Sequence, residues 1–297
     1  MRILFIGPNR VGDAVLSTGL LDHLLREHPD ARFWVTCGRP AEGVFARLPG
    51  RQATRVIDKR PWDLHWLGLW AWAVRRRWDL VVDIRGSALG FMVRARRRAV
   101  MRPRPGPKIA QLAAVLRLDP PPAPVAWIGA GDRARAAALL PEGRKLVMLG
   151  PTANWLPKVW PAAHFAALFR ALAAGPLAGA AAVVLGGAGA AERAMAAPVL
   201  ALLPEAVDLC GTLTLPEAAA CLERAALFVG NDSGLMHLAA AAGAPTLGLF
   251  GPTDASVYAP VGPRARAVVE AGGRMEALSP ERVLAAARDL LALAGAH

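Results

Sequence analysis

The chain has 297 residues, 54% of them apolar and 20% charged, enough apolar material for two cores and too much for a disordered chain. Its net charge of +12 sits in one half: residues 1–140 hold 24 basic and 11 acidic residues, whereas residues 141–297 hold 11 and 12. That half is expected to meet an anionic partner, whether nucleic acid, membrane surface or acidic substrate, while three scattered cysteines exclude a disulfide framework and point to a reducing compartment.

Residues 1–7 already read as a strand, so no leader segment is expected. Short apolar runs at 3–6, 33–36, 80–84, 146–149, 182–185, 227–229 and 246–250 read as strands. They alternate with helical patterns near 13–27, 63–76, 162–173, 217–224, 234–242 and 280–293. This alternation is the signature of an α/β chain with parallel sheets built from βαβ units. The last helix opens with Ser279-Pro280-Glu281, a capping residue followed by proline at the first helical position. Proline-rich stretches at 103–107 and 120–124, then a short helix ending near 140, place a domain boundary between 125 and 145. We expect an N-terminal domain at 1–140 and a C-terminal domain at 141–297, with helix 280–293 folding back on the first. Residues 171–191 are uncharged and long enough to span a bilayer. Gly175, Pro176, Gly179, Gly186, Gly187 and Gly189 interrupt them, so they read as a helix end, a turn and a buried strand.

Three of the strands end in Gly-Pro, at FIGP (5–8), MLGP (148–151) and LFGP (249–252). Ligands of parallel α/β sheets bind where strands end, so these turns are the first places to look for chemistry. The first runs Gly7-Pro8-Asn9-Arg10-Val11-Gly12-Asp13, without the glycine spacing of a dinucleotide fingerprint. Asp13 there is either a helix cap or a catalytic base. The second carries Lys158 in a chain where arginine outnumbers lysine 31 to 4. A lysine in that loop suits a point charge on a phosphate, or is an ordinary solvated residue. A third constellation, Gly230-Asn231-Asp232-Ser233-Gly234-Leu235-Met236-His237, leads from a buried strand into an alanine-rich helix. Free amides, a hydroxyl and the positive helix end make a phosphate site there. Asp232 would repel a diphosphate unless it orients the turn or contacts a sugar hydroxyl. No DxD pair, HExxH or His/Cys cluster is present, so no metal is expected, and a GxSxG elbow is absent.

Residues 75–108 hold eleven Lys and Arg against two acids, preceded by Trp62, Trp66 and Trp70 at helical spacing. The pattern fits either a helix at an anionic lipid surface or tryptophans packed on the sheet with solvated arginines. No RNP, helix-turn-helix or zinc-finger pattern supports nucleic-acid binding.

Taken together, the turns resemble glycosyltransferase family 9, the ADP-heptose:lipopolysaccharide heptosyltransferases. The family's "iGD" turn corresponds to Val11-Gly12-Asp13, its "K-x-W-P" loop to Lys158-Val159-Trp160-Pro161, its "yDlviDl" strand to the run from Trp78 to Asp83, and its long "GnDsGlmHlAaa" signature to the run from Gly230. Pro157 and Asn154 depart from the family pattern. The resemblance implies a GT-B fold, two Rossmann-like domains facing a central cleft, with acceptor on the first and nucleotide sugar on the second. It implies inverting, metal-independent transfer of heptose, or a related sugar, from an ADP-sugar to an inner-core lipopolysaccharide hydroxyl. Asp13 would be the general base and Lys158 the cation on the departing diphosphate. Gly12, Thr152, Asn154, Glu192, Asp232, Ser233, Gly234, His237, Gly251 and Thr253 would bind the donor, Glu192 at the adenosine ribose. Lys59, Arg60, Arg94, Arg96, Arg97 and Arg98 would face an anionic glycolipid acceptor at the cytoplasmic face of the inner membrane. The competing readings are an NAD-type oxidoreductase and a non-catalytic nucleotide- or nucleic-acid-binding protein.

Overall fold

A computed structural model describes residues 1–58 and 64–294. The chain divides into two compact units, Met1–Trp127 and Ile128–His297. In chain order the first unit contains β1 (Arg2–Ile6), α1 (Val11–Glu27), β2 (Arg32–Cys37), β3 (Arg51–Val56), α2 (His65–Ala73), β4 (Trp78–Asp83), α3 (Leu89–Met92), β5 (Ala95–Val100) and α4 (Lys108–Ala113). Its five strands lie in the order β3-β2-β1-β4-β5, all parallel. Central β1 is apolar on both faces, with Ile3 to Ile6 fully buried, as a strand covered on both sides by helices must be. The proline-rich stretch near 120 is strapped to α1, where the Val125 amide donates to Thr18 Oγ1 at 2.8 Å.

The second unit contains α5 (Ala130–Leu139), β6 (Leu146–Gly150), α6 (Ala162–Ala174), β7 (Ala181–Val184), α7 (Ala190–Leu202), β8 (Val207–Asp208), α8 (Leu215–Glu223), β9 (Leu227–Asn231), α9 (Gly234–Ala241), β10 (Thr246–Phe250), α10 (Ala255–Tyr258), β11 (Ala265–Val269) and α11 (Pro280–Ala294). The sheet order is β11-β10-β9-β6-β7-β8, again all parallel. Parallel strands put every C-terminal end on one edge, so the turns after β6, β7, β9 and β10 share that edge.

The two units part at 127/128, inside the stretch 125–145 expected for the boundary, and α5 falls in the second unit. There Arg133 makes a two-pronged ion pair with Glu223 at the end of α8, at 2.8 and 2.9 Å. With this boundary the charge division is cleaner: 22 basic and 10 acidic residues in the first unit, 13 and 13 in the second. Helix α11 contributes to the core of the second unit. Val283, Ala287 and Leu290, at helical spacing, enter the second unit's own core with Leu168 and Leu172 of α6.

Candidate functional site

In the second unit the glycine that ends β6 has a steric reason. A Cβ at Gly150 would lie 2.7 Å from the Phe228 ring tip, well inside contact distance. The same holds in the first unit, where a Cβ at Gly7 would lie 2.9 Å from the ring of Phe5. These strand-end glycines let an aromatic ring close the core directly beneath the turn.

After β6 the chain passes buried Thr152 and exposed Asn154, forms a short 3-10 turn at Leu156–Lys158, and reaches fully buried Trp160. Trp160 anchors this loop at both ends of its side chain and backbone. Its amide donates to Asn231 Oδ1 at 3.0 Å and its indole Nε1 to the Leu278 carbonyl at 2.7 Å. The loop thereby delivers Lys158 Nζ to within 2.7 Å of Asp232 Oδ2, in an ion pair largely shielded from solvent. Asp232 is therefore matched by a cation beside it, which removes the objection of an isolated acid at a phosphate site. Asn231 and Trp160 were not among the sequence candidates; the signal for them was the conversion of a strand end into a polar turn opposite a Trp-Pro loop.

Ser233 and Gly234 open α9, and Ser233 makes no side-chain capping bond. The hydroxyls of Ser233 and Thr253, Asn231 Nδ2 and His237 Nδ1 are buried polar atoms without a hydrogen-bond partner among the described residues. Buried polar groups are nearly always paired, so such a cluster at a strand-end edge marks a ligand position. Burial lowers the His237 pKa to about 4, against the pull of Asp232 and with the push of Lys158, so its imidazole is neutral at pH 7. Glu192 lies in the first turn of α7 and accepts from the Gly187 amide at 3.0 Å. Gly251 and Thr253 follow β10 on the same edge. Thr152, Lys158, Glu192, Asp232, Ser233, Gly234, His237, Gly251 and Thr253 are thus brought to one edge by four strands, with Asn154 exposed at its margin.

Gly12 and Asp13 lie in the first unit, in the opening turn of α1. The N-cap of α1 is Arg10 and no side chain caps it, so Asp13 is not serving as the cap. It lines a cavity of about 320 Å³ with Asn9, Arg10, Arg85 and Lys108. Asp83, at the end of β4, is fully buried. Burial raises its pKa while bonds from Ser87 and the Arg85, Ser87 and Gly86 backbone oppose the rise.

Arg94, Arg96, Arg97 and Arg98 lie on or beside the edge strand β5, outside the Asp13 cavity. Arg98 is occupied by its own neighbourhood, with Nε on the Gly90 carbonyl at 3.1 Å and Nη2 on the Val93 carbonyl at 2.7 Å. An edge strand needs charge to discourage pairing with another chain, and these side chains supply it. Lys59 and Arg60, like Trp62, lie outside the described residues. Helix α2 divides the two readings of the tryptophan stretch: Leu69 and Ala73 are buried and Trp66 and Trp72 pack on the core. Its other side exposes Leu67 (61%), and Trp70 Nε1 there donates to the carbonyl of Met92, next to exposed Phe91. Among the described residues no helix is long and apolar enough to cross a membrane, and no group of three or more His, Cys, Asp or Glu could hold a metal ion.

Two doubly wound parallel sheets, with polar strand-end turns gathered on one edge of the second, are the architecture of the GT-B fold. Comparison with known proteins narrows the class. The profile of glycosyltransferase family 9 (heptosyltransferase) matches residues 96–285, and the chain belongs to this family. It is 25% identical over 314 residues to lipooligosaccharide heptosyltransferase 2 of Haemophilus influenzae, a match spanning 89% of this chain and 87% of that protein. A shorter stretch of 120 residues is 34% identical to lipopolysaccharide heptosyltransferase 3 of Escherichia coli, covering 40% of this chain and only 34% of that protein. The structure of the E. coli ADP-heptose LPS heptosyltransferase II superposes with a TM-score of 0.79 at 22% identity, over 99% of this chain and all of that one.

Proposed function

We propose that the protein transfers heptose from an ADP-sugar to a hydroxyl of the lipopolysaccharide inner core, with inversion and without a bound metal ion. The observation that carries this reading is the Lys158–Asp232 pair beside the unpaired buried hydroxyls of Ser233 and Thr253, in a chain of a heptosyltransferase family. The diphosphate takes its hydrogen bonds from the Ser233–Gly234 turn and the two hydroxyls. As the glycosidic bond to ADP breaks, negative charge grows on the departing phosphate and Lys158 meets it. Asp232 contacts a sugar hydroxyl, and Glu192 the adenosine ribose. Asp13 takes the proton from the acceptor hydroxyl, whose oxygen attacks the anomeric carbon on the face opposite ADP.

Thermal shift separates this reading from its competitors: ADP raises the melting temperature without Mg²⁺, and NAD does not. Asp13→Ala keeps that shift and loses turnover by about 10²–10⁴-fold, the usual contribution of a general base. Stabilisation by NAD but not ADP, or turnover surviving in Asp13→Ala, overturns the respective part.

We infer further that the first unit rests on the anionic cytoplasmic surface of the inner membrane. The exposed side chains of Leu67, Phe91 and Met92, with Arg94 and Arg96 beside them, support this seat.

A further inference from the structure

Strand β9 reads Leu-Phe-Val-Gly-Asn and is buried throughout, so a carboxamide stands at its end in wholly apolar company. Asn231 has no exposed surface. Its Oδ1 accepts from the Trp160 amide at 3.0 Å, which fixes the way the carboxamide faces, while Nδ2 finds no partner among the described residues. Burying a carboxamide with one end unpaired costs stability, so packing alone does not account for it.

The order of residues along two segments shows what the side chain does. Asn231 precedes Asp232, and Trp160 follows Lys158 by two positions. The Asn231–Trp160 bond and the Lys158–Asp232 ion pair at 2.7 Å are therefore two rungs between the same pair of segments. They differ in what a ligand does to them. A diphosphate arriving at this edge would compete with Asp232 for the Lys158 ammonium and loosen the charged rung. The neutral rung is buried and carries no charge for the ligand to draw on.

Trp160 makes the neutral rung stiff. Its ring meets Phe165 and His164 edge-on, with centroids 4.9 and 5.4 Å apart, and its Nε1 donates to the Leu278 carbonyl at 2.7 Å. Leu278 closes the short 3-10 turn Met275–Ala277. The Met275 sulfur would lie 2.7 Å from a Cβ at Gly251, so this turn packs directly against the end of β10. One buried strap thus joins the turns after β6, β9 and β10.

We propose that Asn231 is a positioning residue for transfer: through the Trp160 amide it holds the Lys158 loop while the ammonium turns from Asp232 to the departing diphosphate. The lysine then moves only its flexible stem, and its charge arrives where negative charge develops. This part in transfer rests on the reading of this edge as the donor site. A loop held by the ion pair alone would shift as the ligand binds, and a misplacement of about 1 Å costs on the order of 100-fold in rate.

A double-mutant cycle on the full chain tests the proposal, because a residue that acts through Lys158 loses its effect once the lysine is gone. Asn231→Leu is close in volume but cannot accept a hydrogen bond. It is expected to lower kcat with ADP-heptose by about tenfold or more when Lys158 is present, and by less than about twofold in Lys158→Met. ADP affinity measured by calorimetry should follow the same pattern, with a loss of about fivefold that vanishes in Lys158→Met. Equal losses in both backgrounds would show that Asn231 only supports the fold, and would overturn the proposal. ADP binding without heptose transfer sinks the proposed reaction and leaves the affinity cycle readable. If the wild type binds no ADP, the donor reading fails and melting temperatures decide. The fall caused by Asp232→Asn should shrink by about half or more in Asn231→Leu, and an unchanged fall overturns the strap. Should Asn231→Leu not fold, Asn231→Ser, whose hydroxyl is one bond too short to reach the Trp160 amide, takes its place in the same cycles.

Discussion

At His237 burial outweighs the nearby charges. The imidazole is fully enclosed and its pKa falls from 6.5 to about 4, so the folded protein keeps it neutral where an unfolded chain would bind a proton. The stability this represents is complete above about pH 6.5 and is lost as the pH falls towards 4. Its slope is at most ~1.4 kcal/mol per pH unit. His237→Gln is expected to flatten that part of the acid limb, read as melting temperature against pH for the two proteins. Lys158 and Asp232 present the opposite case, charges kept by mutual pairing at 2.7 Å. Asp232→Asn leaves the lysine shielded and unmatched, an error that costs ~3 kcal/mol or more in comparable settings. For a unit of this size that is a fall of roughly 6–12 °C in melting temperature. Lys158→Met combined with Asp232→Leu should melt nearer to wild type than either single variant. Additive losses would show that the two side chains do not depend on each other.

At the scale of elements, the strands that sequence pattern reveals and those it hides are sorted by position in the sheet. All seven strands legible as apolar runs have a neighbour on each side: β1, β2 and β4 in one sheet, β6, β7, β9 and β10 in the other. The four it misses, β3, β5, β8 and β11, are the four edges. An edge strand has solvent along one side, so it carries no continuous apolar run, and β5 reads Ala-Arg-Arg-Arg-Ala-Val. Its arginines were therefore legible as a basic cluster but not as a strand. Arg98→Ala, which strips the Gly90 and Val93 carbonyls of their donors, should lower stability by ~1–2 kcal/mol. Arg97→Ala should stay within ~0.5 kcal/mol, and similar losses for both would return the segment to an undifferentiated patch. The polar strand-end edge of the second unit was legible because each of its turns is a short run in which strand end, glycine and polar residue sit together. The Asp13 cavity was not, since Arg10, Arg85 and Lys108 come from three separate segments and only the sheet order brings them to one place.

At the scale of the molecule, all of the excess charge lies in the first unit, 22 basic against 10 acidic residues, while the second is balanced at 13 and 13. The proposed nucleotide-sugar site, with one lysine and local hydrogen-bond donors, does not need such a field; the proposed approach to anionic lipid does. Charge alone would draw the unit to any polyanion; the proposed membrane seat differs in also using the exposed Leu67, Phe91 and Met92, because apolar side chains gain by leaving water. The two contributions separate experimentally. The protein should co-sediment with phosphatidylcholine vesicles containing phosphatidylglycerol and not with phosphatidylcholine alone. Raising salt from 0.1 M to 1 M shortens the screening length from about 10 to 3 Å and should release it. Replacing Leu67, Phe91 and Met92 by serine should weaken vesicle binding on the order of 100-fold, given ~1 kcal/mol for each partly inserted side chain. All three positions are exposed, so the melting temperature should not fall. Binding that survives the triple substitution but not salt would mean that the arginines alone hold the surface, and the apolar seat would have to be abandoned.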